Sequence, residues 1–339
     1  MSKSKRVLSV TTERLRLAAP FRISGYVFEH SDVIVATVSE GGQTGRGEAA
    51  GVYYLGDDVT HMIAEIETFR GAIEKGADRA ELQRLMPPGG ARNALDCALW
   101  ELDAAQAGKP AWQLAGVNVP QPLVTTFTIG ADEPGIMADI ARGYEKARAI
   151  KLKLTGEIGI DVERVQAVRD ARPDVWLGVD ANQGFNRSGL EWLVEAMVEQ
   201  RVSLLEQPLA RGREADLEGF KSAVPIAADE SALTLADVPG LVGRFDVVNI
   251  KLDKCGGLTE GLAMAAEARR LGLGVMVGNM VGTSLAMAPA FILGQLCDYV
   301  DLDGPTFLAE DRTPSITYSH GQVDCGGEVW GGGWKAAAA

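Results

Sequence analysis

Histidine is scarce in this chain, and where it occurs it is poorly placed for chemistry. Only His30, His61 and His320 occur in 339 residues. None closes an apolar run that reads as a buried strand, so a histidine-based catalytic dyad is not expected. Cysteine is scarce too. Cys97, Cys255, Cys297 and Cys325 are scattered. They have neither the close pairs of a zinc finger nor the density of a disulfide scaffold, and they read as reduced thiols of a cytoplasmic protein. No window approaches the ~18 consecutive apolar residues of a membrane span. The N-terminal stretch MSKSKRVLSVTTERLRL has early positive charge but no apolar h-region, so no signal peptide is expected. Basic charge is in deficit: 33 Lys and Arg against 46 Asp and Glu leave a net charge of -13. That excludes the basic face a nucleic-acid partner needs.

What is present is enough apolar residue, 46% of the chain, to fill a large core. The length suits a barrel of about 250 residues plus a smaller domain. Residues 6–17 read as an edge strand. Ser31–Ser39, rich in Val and Ile, is followed by Gly41–Gly42 as a hairpin signal, and 45–50 returns as a third strand. A loop from Pro20 to Ser31 carries Phe21, Arg22, Tyr26 and Phe28, and a second from Gly51 to Asp58 carries Tyr53 and Tyr54. Helical spacing follows over 59–75 and 91–107. Strands followed by helices predict an α+β capping module at about residues 1–122.

From Val124 the pattern alternates strand and helix. Eight strands are expected, at 124–130, 149–154, 175–182, 203–209, 225–231, 246–252, 274–281 and 299–303, separated by seven helical segments. Gly304–Pro305 and a Gly-rich tail follow the last strand instead of an eighth helix. The expected fold is a modified TIM barrel, (β/α)7β, over 123–305, with the tail 306–339 packing back on the cap. The alternative, an open doubly wound sheet, needs a Gly-rich phosphate turn after the first strand. Ile129–Gly130–Ala131–Asp132 is not one.

Five short stretches close successive strands: Lys151–Leu152–Lys153, Asp180–Ala181–Asn182, Glu206–Gln207–Pro208, Asp229–Glu230–Ser231 and Asn249–Ile250–Lys251. The steps from Lys153 to Asp180, Glu206, Asp229 and Lys251 are 27, 26, 23 and 22 residues. One strand, one helix and two loops fill such a step, so all five ends meet at the C-terminal mouth of a barrel, where active sites are built. Asp180, Glu206 and Asp229 would repel one another there unless compensated. An all-oxygen set without His or Cys favours Mg²⁺ over zinc; the alternative is a structural network with lysines. Lys151 and Lys153 alternate and so share the interior face. Mutual repulsion and a nearby metal should depress their pKa values, while the carboxylates oppose that. Lys251, four strands round, should face Lys153 across the mouth. Two opposed bases beside a metal suit removal of an α-proton next to a carboxylate. The metal stabilises the enediolate, and the proton returns on the opposite face.

The combination of Lys-x-Lys, Asp-x-Asn, Glu-Gln-Pro, Asp-Glu-Ser and a sixth-strand Lys resembles the enolase superfamily, specifically its muconate-lactonising-enzyme subgroup. Lysine bases working with Mg²⁺ are an established feature of that superfamily. The resemblance implies that Lys153 and Lys251 are the acid/base pair. It also implies Asp180, Glu206 and Asp229 as metal ligands, and Lys151 as a contact to the substrate carboxylate. The subgroup includes muconate cycloisomerases, o-succinylbenzoate synthases, N-acylamino acid racemases and dipeptide epimerases. The last strand ends Val300–Asp301–Leu302–Asp303. Its Asp-x-Asp resembles the dipeptide epimerases, where it holds the free ammonium of the substrate; a turn at Asp303–Gly304 is the alternative. In glutamate-handling relatives the first capping loop supplies an Arg. Here Tyr26 stands at that place and Arg22 is displaced by four residues. Tyr26, Phe28, Tyr53 and Tyr54 imply an apolar or mixed side chain. The expectation is a Mg²⁺-dependent dipeptide epimerase acting on a small molecule, a homo-oligomer without nucleic-acid or membrane partners. Other subgroup activities, and a metal-binding protein without turnover, are the alternatives.

Overall fold

A computed structural model of the chain describes residues 5–23 and 26–332. It opens with an antiparallel meander of β1 (Val7–Ile23), β2 (Tyr26–Glu40) and β3 (Gln43–Ala49). The expected loop from Pro20 to Ser31 is largely strand. After an irregularity beyond Arg16, pairing resumes with Phe21 opposite Phe28 and Arg22 opposite Val27. The β-branched and aromatic residues Phe21, Ile23, Tyr26, Val27 and Phe28 favour the extended chain over a loop. The helices α1 (Val59–Glu74), α2 (Arg79–Leu85), α3 (Gly90–Ala107) and α4 (Ala111–Leu114) follow. The α3 helix lies directly on the meander. A Cβ on Gly45 or Gly47 would come within 2.0 Å of the Ala98 carbonyl oxygen or 2.1 Å of that of Ala94. Glycine is what permits this approach.

The second region starts with β4 (Leu123–Val124) and β5 (Thr126–Ile129), then α5 (Pro134–Gly143), β6 (Ala149–Lys153), α6 (Ile158–Ala171), β7 (Trp176–Asp180), α7 (Arg187–Glu199) and β8 (Leu204–Glu206). It continues through β9 (Ile226–Ala228), β10 (Val247–Lys251), α8 (Leu252–Cys255), α9 (Leu258–Arg270), β11 (Gly274–Gly278), α10 (Ser284–Gly294) and β12 (Tyr299–Val300). The strands β5 to β12 form one parallel sheet in sequence order. Their residues are almost continuously buried, as in β10, whose five are all buried. Parallel strands covered on both faces read that way. The seam between the first and last strands is bridged by side chains. Thr126 donates its hydroxyl to Asp301 (2.5 Å), the Thr128 amide donates to Asp303 (2.6 Å), and the Leu302 amide donates to Thr125 Oγ1 (2.9 Å).

All eight strands fall inside the expected segments, but two of the seven connections differ. Between β8 and β9, and between β9 and β10, the described residues contain only short 3-10 turns, Glu214–Leu217 and Val238–Leu241. These are the shortest steps, and Gly212, Gly219, Pro239, Gly240 and Gly243 interrupt any helical run. After a 3-10 turn at Gly304–Phe307, β13 (Thr317–Ser319) pairs with β14 (Gln322–Asp324), which pairs with β4. The tail then reaches the cap: Trp330 donates to the Arg46 carbonyl (2.8 Å) and the Gly331 amide to Glu101 (3.2 Å). Cap and barrel are also tied through α3, where Trp100 donates to Thr259 (2.9 Å) and Arg92 to the Cys255 carbonyl (2.5 Å). No helix among the described residues is long and apolar enough to cross a membrane.

Candidate active site

The barrel register brings the charged strand ends to one level. Lys153 lies beside Asp180, Asp180 beside Glu206, and Asp229 follows directly after β9. Asp180, Glu206 and Asp229 are buried, and each offers a carboxylate oxygen within 4.8 Å of the others. Lys151 reaches Glu206 (2.7 Å), Asp301 (2.8 Å) and Asp180 (3.3 Å). Lys153 reaches Asp180 (2.6 Å), and Lys251 reaches Asp229 (2.7 Å). The two outer lysines therefore engage different acids on different sides of the mouth.

A fourth lysine completes the cluster. Lys254 lies in α8, one helical turn beyond Lys251, and is buried. It donates to Asp229 Oδ1 (2.5 Å), the Asp229 carbonyl (2.5 Å) and the Asn249 carbonyl (3.0 Å). It thereby holds one oxygen of Asp229 and leaves the other to Lys251. The Glu-Gln-Pro and Asp-Glu-Ser stretches interlock as well. Gln207 accepts from the amides of Asp229 (2.9 Å) and Ser231 (3.1 Å) and donates to Ser231 Oγ (2.9 Å). Its backbone sits at φ 37° and that of Asn182 at φ 44°. Left-handed non-glycine residues of this kind concentrate where a surrounding structure enforces them. Asn249 donates to Glu206 (3.0 Å).

Six carboxyl groups (Asp180, Glu206, Asp229, Glu230, Asp301 and Asp303) meet four amines, so negative charge is in excess. Burial and the neighbouring Asp180 push Glu206 up to about 7, and burial with Asp229 pushes Glu230 up to about 8. Lys153 and Lys151 outweigh burial at Asp180 and hold it at about 2. Lys151 does not follow the expected depression. Burial lowers Lys151, but Asp301, Glu206 and Asp180 outweigh it and hold the ammonium well above the usual lysine range. Asp229 does the same for Lys251. Repulsion between amines loses because each carboxylate is closer. Lys254 goes down, driven by burial. Buried and without a hydrogen-bond partner are Glu230 Oε2 and Asn182 Oδ1. Excess negative charge, an all-oxygen donor set and these oxygens fit a hard divalent cation.

Asp301 and Asp303 lie deep at the barrel seam. Asp301 is held by Thr126 and Lys151, and Asp303 accepts from the Thr128 amide. Burial and Asp301 push Asp303 up to about 7. Above the cluster is a cavity of about 430 Å³. Lys153, Asn182, Asp229, Glu230 and Lys251 form its floor, and Leu17, Phe21, Phe28, Tyr53 and Tyr54 its roof. Neither Asp301 nor Asp303 lines it. The Tyr54 hydroxyl is buried without a partner. Tyr53 and Tyr54 are placed through Ala50 and Gly51, whose amides both donate to Asp253 (2.9 and 3.0 Å). The Tyr26 side chain lies outside the described residues. Arg22 turns to Asp132, 3.8 Å away, and does not line the cavity. Sequence reasoning assigned no role to Lys254, Asn249 or Asp253. The only hint for Lys254 was its position one turn after Lys251.

The fold and site define a capped barrel whose mouth joins a carboxylate cluster to opposed lysines. Residues 5–116 match the mandelate racemase / muconate lactonizing enzyme N-terminal domain, and residues 136–325 match the enolase C-terminal domain-like family. The chain belongs to the mandelate racemase / muconate lactonizing enzyme group of the enolase superfamily. It is 39% identical over 318 residues to an L-Ala-D/L-Glu epimerase of Escherichia coli, covering 94% of this chain and 99% of that one. It is 41% identical over 258 residues to an N-acetyl-D-glutamate racemase of a Pseudoalteromonas species, covering 75% and 80%. An Agrobacterium tumefaciens enolase family member with homology to dipeptide epimerases, solved with sodium and L-Ala-L-Glu, superposes with a TM-score of 0.92 at 42% identity over 96% of this chain and 100% of that one. A dipeptide epimerase from Methylococcus capsulatus, solved with Mg and L-Arg-D-Lys, gives 0.88 at 30% identity over 94% and 96%.

Proposed function

We propose that this chain is an isomerase, a Mg²⁺-dependent dipeptide epimerase that inverts the α-carbon of the C-terminal residue by two-base proton transfer. One observation carries the reading: Lys153 and Lys251 stand on strands four apart, each against a different acid, with the cavity between them. Asp180, Glu206 and Asp229 would hold the cation, which when bound supplies positive charge that acidifies the α-proton and stabilises the enediolate. Lys151, between Glu206 and Asp301, offers an ammonium to the substrate carboxylate. With the carboxylate on the floor, the α-carbon sits between the two outer amines. One lysine, as the neutral amine, takes the proton from its face, and the other, as ammonium, gives one to the opposite face. Lys254 keeps the Asp229 carboxylate from turning away during this exchange, and Gln207 holds the Asp229 backbone amide. In this reading Asp301 and Asp303, buried at the seam beyond the cavity, are the acids that would answer the free ammonium of the substrate. The division of labour in this reading is a cap at 1–122, a catalytic barrel at 123–305 and a returning tail.

The similarity to an N-acetyl-D-glutamate racemase favours a second reading, N-acylamino acid racemisation by the same bases. One experiment separates them. Deuterium incorporation in D₂O is measured for free dipeptides and for their N-acetylated forms, with Lys153→Ala and Lys251→Ala beside the wild type. The wild type should epimerise free dipeptides and act poorly on acetylated ones. Each variant should lose epimerisation, and any residual exchange should be confined to one epimer, a different one in each. Interconversion of both epimers by either variant at near wild-type rate would remove the two-base mechanism. Equal or better turnover of N-acyl amino acids would put the racemase in its place.

A further inference from the structure

We infer that the residue epimerised by this enzyme carries an apolar side chain, best an aromatic one, and that acidic side chains are rejected. The inference rests on the dipeptide epimerase reading and goes beyond it by naming the substrate class. With the substrate carboxylate at the acid cluster and the α-carbon flanked by Lys153 and Lys251, two substituents remain. The amide nitrogen leads toward the N-terminal residue. The side chain must rise toward the roof.

That roof is aromatic. The rings of Phe28 and Tyr53 meet edge-on with centroids 5.2 Å apart, and Tyr53 meets Tyr54 at 5.2 Å and 90°. An edge-to-face array accepts a further ring with the same geometry. Charge on the roof has the wrong sign for a carboxylate. Asp32, Asp57 and Asp58 line the cavity from the cap, and among the described residues no Arg or Lys of the cap does. Arg22, the cap cation nearest in sequence, is engaged by Asp132 on the other side of Phe21. His30 also lines the cavity and lies 3.6 Å from Asp32. A glutamate side chain would therefore leave water and meet no lysine or arginine of the cap among the described residues, beside acids that already have their own partners. A cationic side chain has no better prospect, because these carboxylates are already engaged. Asp32 is held by both arms of Arg14, Asp57 by the Gly90 amide and His61, and Asp58 by the His61 amide. What remains favourable is apolar burial.

The test measures kcat/KM for L-Ala-L-Phe, L-Ala-L-Leu and L-Ala-L-Glu with the Mg²⁺-loaded enzyme, for the wild type, Phe28→Arg and Met280→Arg. The wild type should prefer L-Ala-L-Phe over L-Ala-L-Glu by at least about 10-fold, the lower end of what one buried side chain contributes. Either arginine variant should narrow or invert that ratio. If one variant fails to fold, the wild-type ratio and the other variant still decide. Wild-type turnover of L-Ala-L-Glu equal to or above that of L-Ala-L-Phe overturns the inference and leaves the dipeptide reading standing. Exchange of N-acetyl-phenylalanine with no exchange of any dipeptide overturns both.

Discussion

The floor and the roof of the cavity are held by different means. On the floor the charged side chains project mostly from the ends of barrel strands and interlock, as Asp229 does with Lys251, Lys254 and Gln207. Moving one moves the rest. On the roof, aromatic side chains sit on a hairpin and a 3-10 turn. These are tied to the barrel largely through backbone groups: Ser31 to the Val281 carbonyl (2.8 Å), Ala50 and Gly51 to Asp253, and the Arg22 and Arg16 carbonyls to the amides of Ala131 (3.3 Å) and Ala309 (2.9 Å). A roof built this way can change its side chains without disturbing the strand ends. The reaction therefore belongs to the floor and the choice of substrate to the roof, a division that loops on a rigid scaffold permit.

The largest effect should come from the floor. Glu206→Gln replaces an acceptor of Lys151 and Asn249 with a group that presents an amide donor toward an ammonium. It also removes one of three anionic oxygens from the cation site. Turnover should fall by about 10³-fold or more, and Mg²⁺ affinity measured by calorimetry should fall with it, while the circular dichroism spectrum stays native. Full activity of the wild type in excess chelator would remove the cation from the reading.

Asp301→Asn tests where floor chemistry ends. Loss of a charged hydrogen-bond partner typically costs about 2–5 kcal/mol, so kcat/KM for free dipeptides should drop roughly 30-fold or more. Asp303→Asn should act in the same direction. Because both acids also bridge the barrel seam, thermal stability must be followed alongside. An ammonium-binding role predicts that N-acetylated substrates, already poor, are little affected. If free and acetylated substrates lose activity in equal proportion, the pair acts on the seam alone.

Legibility followed the same division. Floor residues were readable because each closes a buried run, where an unpaired charge is costly, and because the strand spacing is regular. Lys151, Lys153, Asp180, Glu206, Asp229 and Lys251 all meet where the spacing put them. Lys254 was not readable, since a lysine in a first helical turn beside Asp253 has the pattern of a solvated helix. Only the tertiary fold buries it under Asp229. The two 3-10 connections were missed because step length alone does not separate a helix from a loop. The hairpin extension through Phe21 and Phe28 was missed because Pro20 and Gly25 carry turn signals. Asp253 escaped notice because its partners, Ala50 and Gly51, are about two hundred residues away and offer only backbone amides.

Asp253 supplies the smallest effect, one on the joint between roof and floor. It is buried, and burial pushes its carboxyl up to about 7, with the charges of Asp57 and Glu48 adding to the shift. The folded value lies above the ordinary aspartate range. The folded state therefore binds more protons than the unfolded chain between about pH 4 and pH 7. Stability from this group is greatest at the acid end of that window, falls as pH rises through it, and stays low above it. Asp253→Asn keeps an oxygen acceptor for the Ala50 and Gly51 amides and removes the charge. At pH 8 the variant should melt a few degrees above the wild type, because a gain of about 1–2 kcal/mol moves a chain of this size by that much. At pH 5, where the wild-type carboxyl is largely protonated, the gain should vanish. Other buried acids, among them Glu206 and Glu230, titrate in both proteins, so the difference between the two melting curves is the quantity that reports on Asp253. A difference that does not change between pH 5 and pH 8 would mean that Asp253 does not titrate across this range, against the shift that burial gives it.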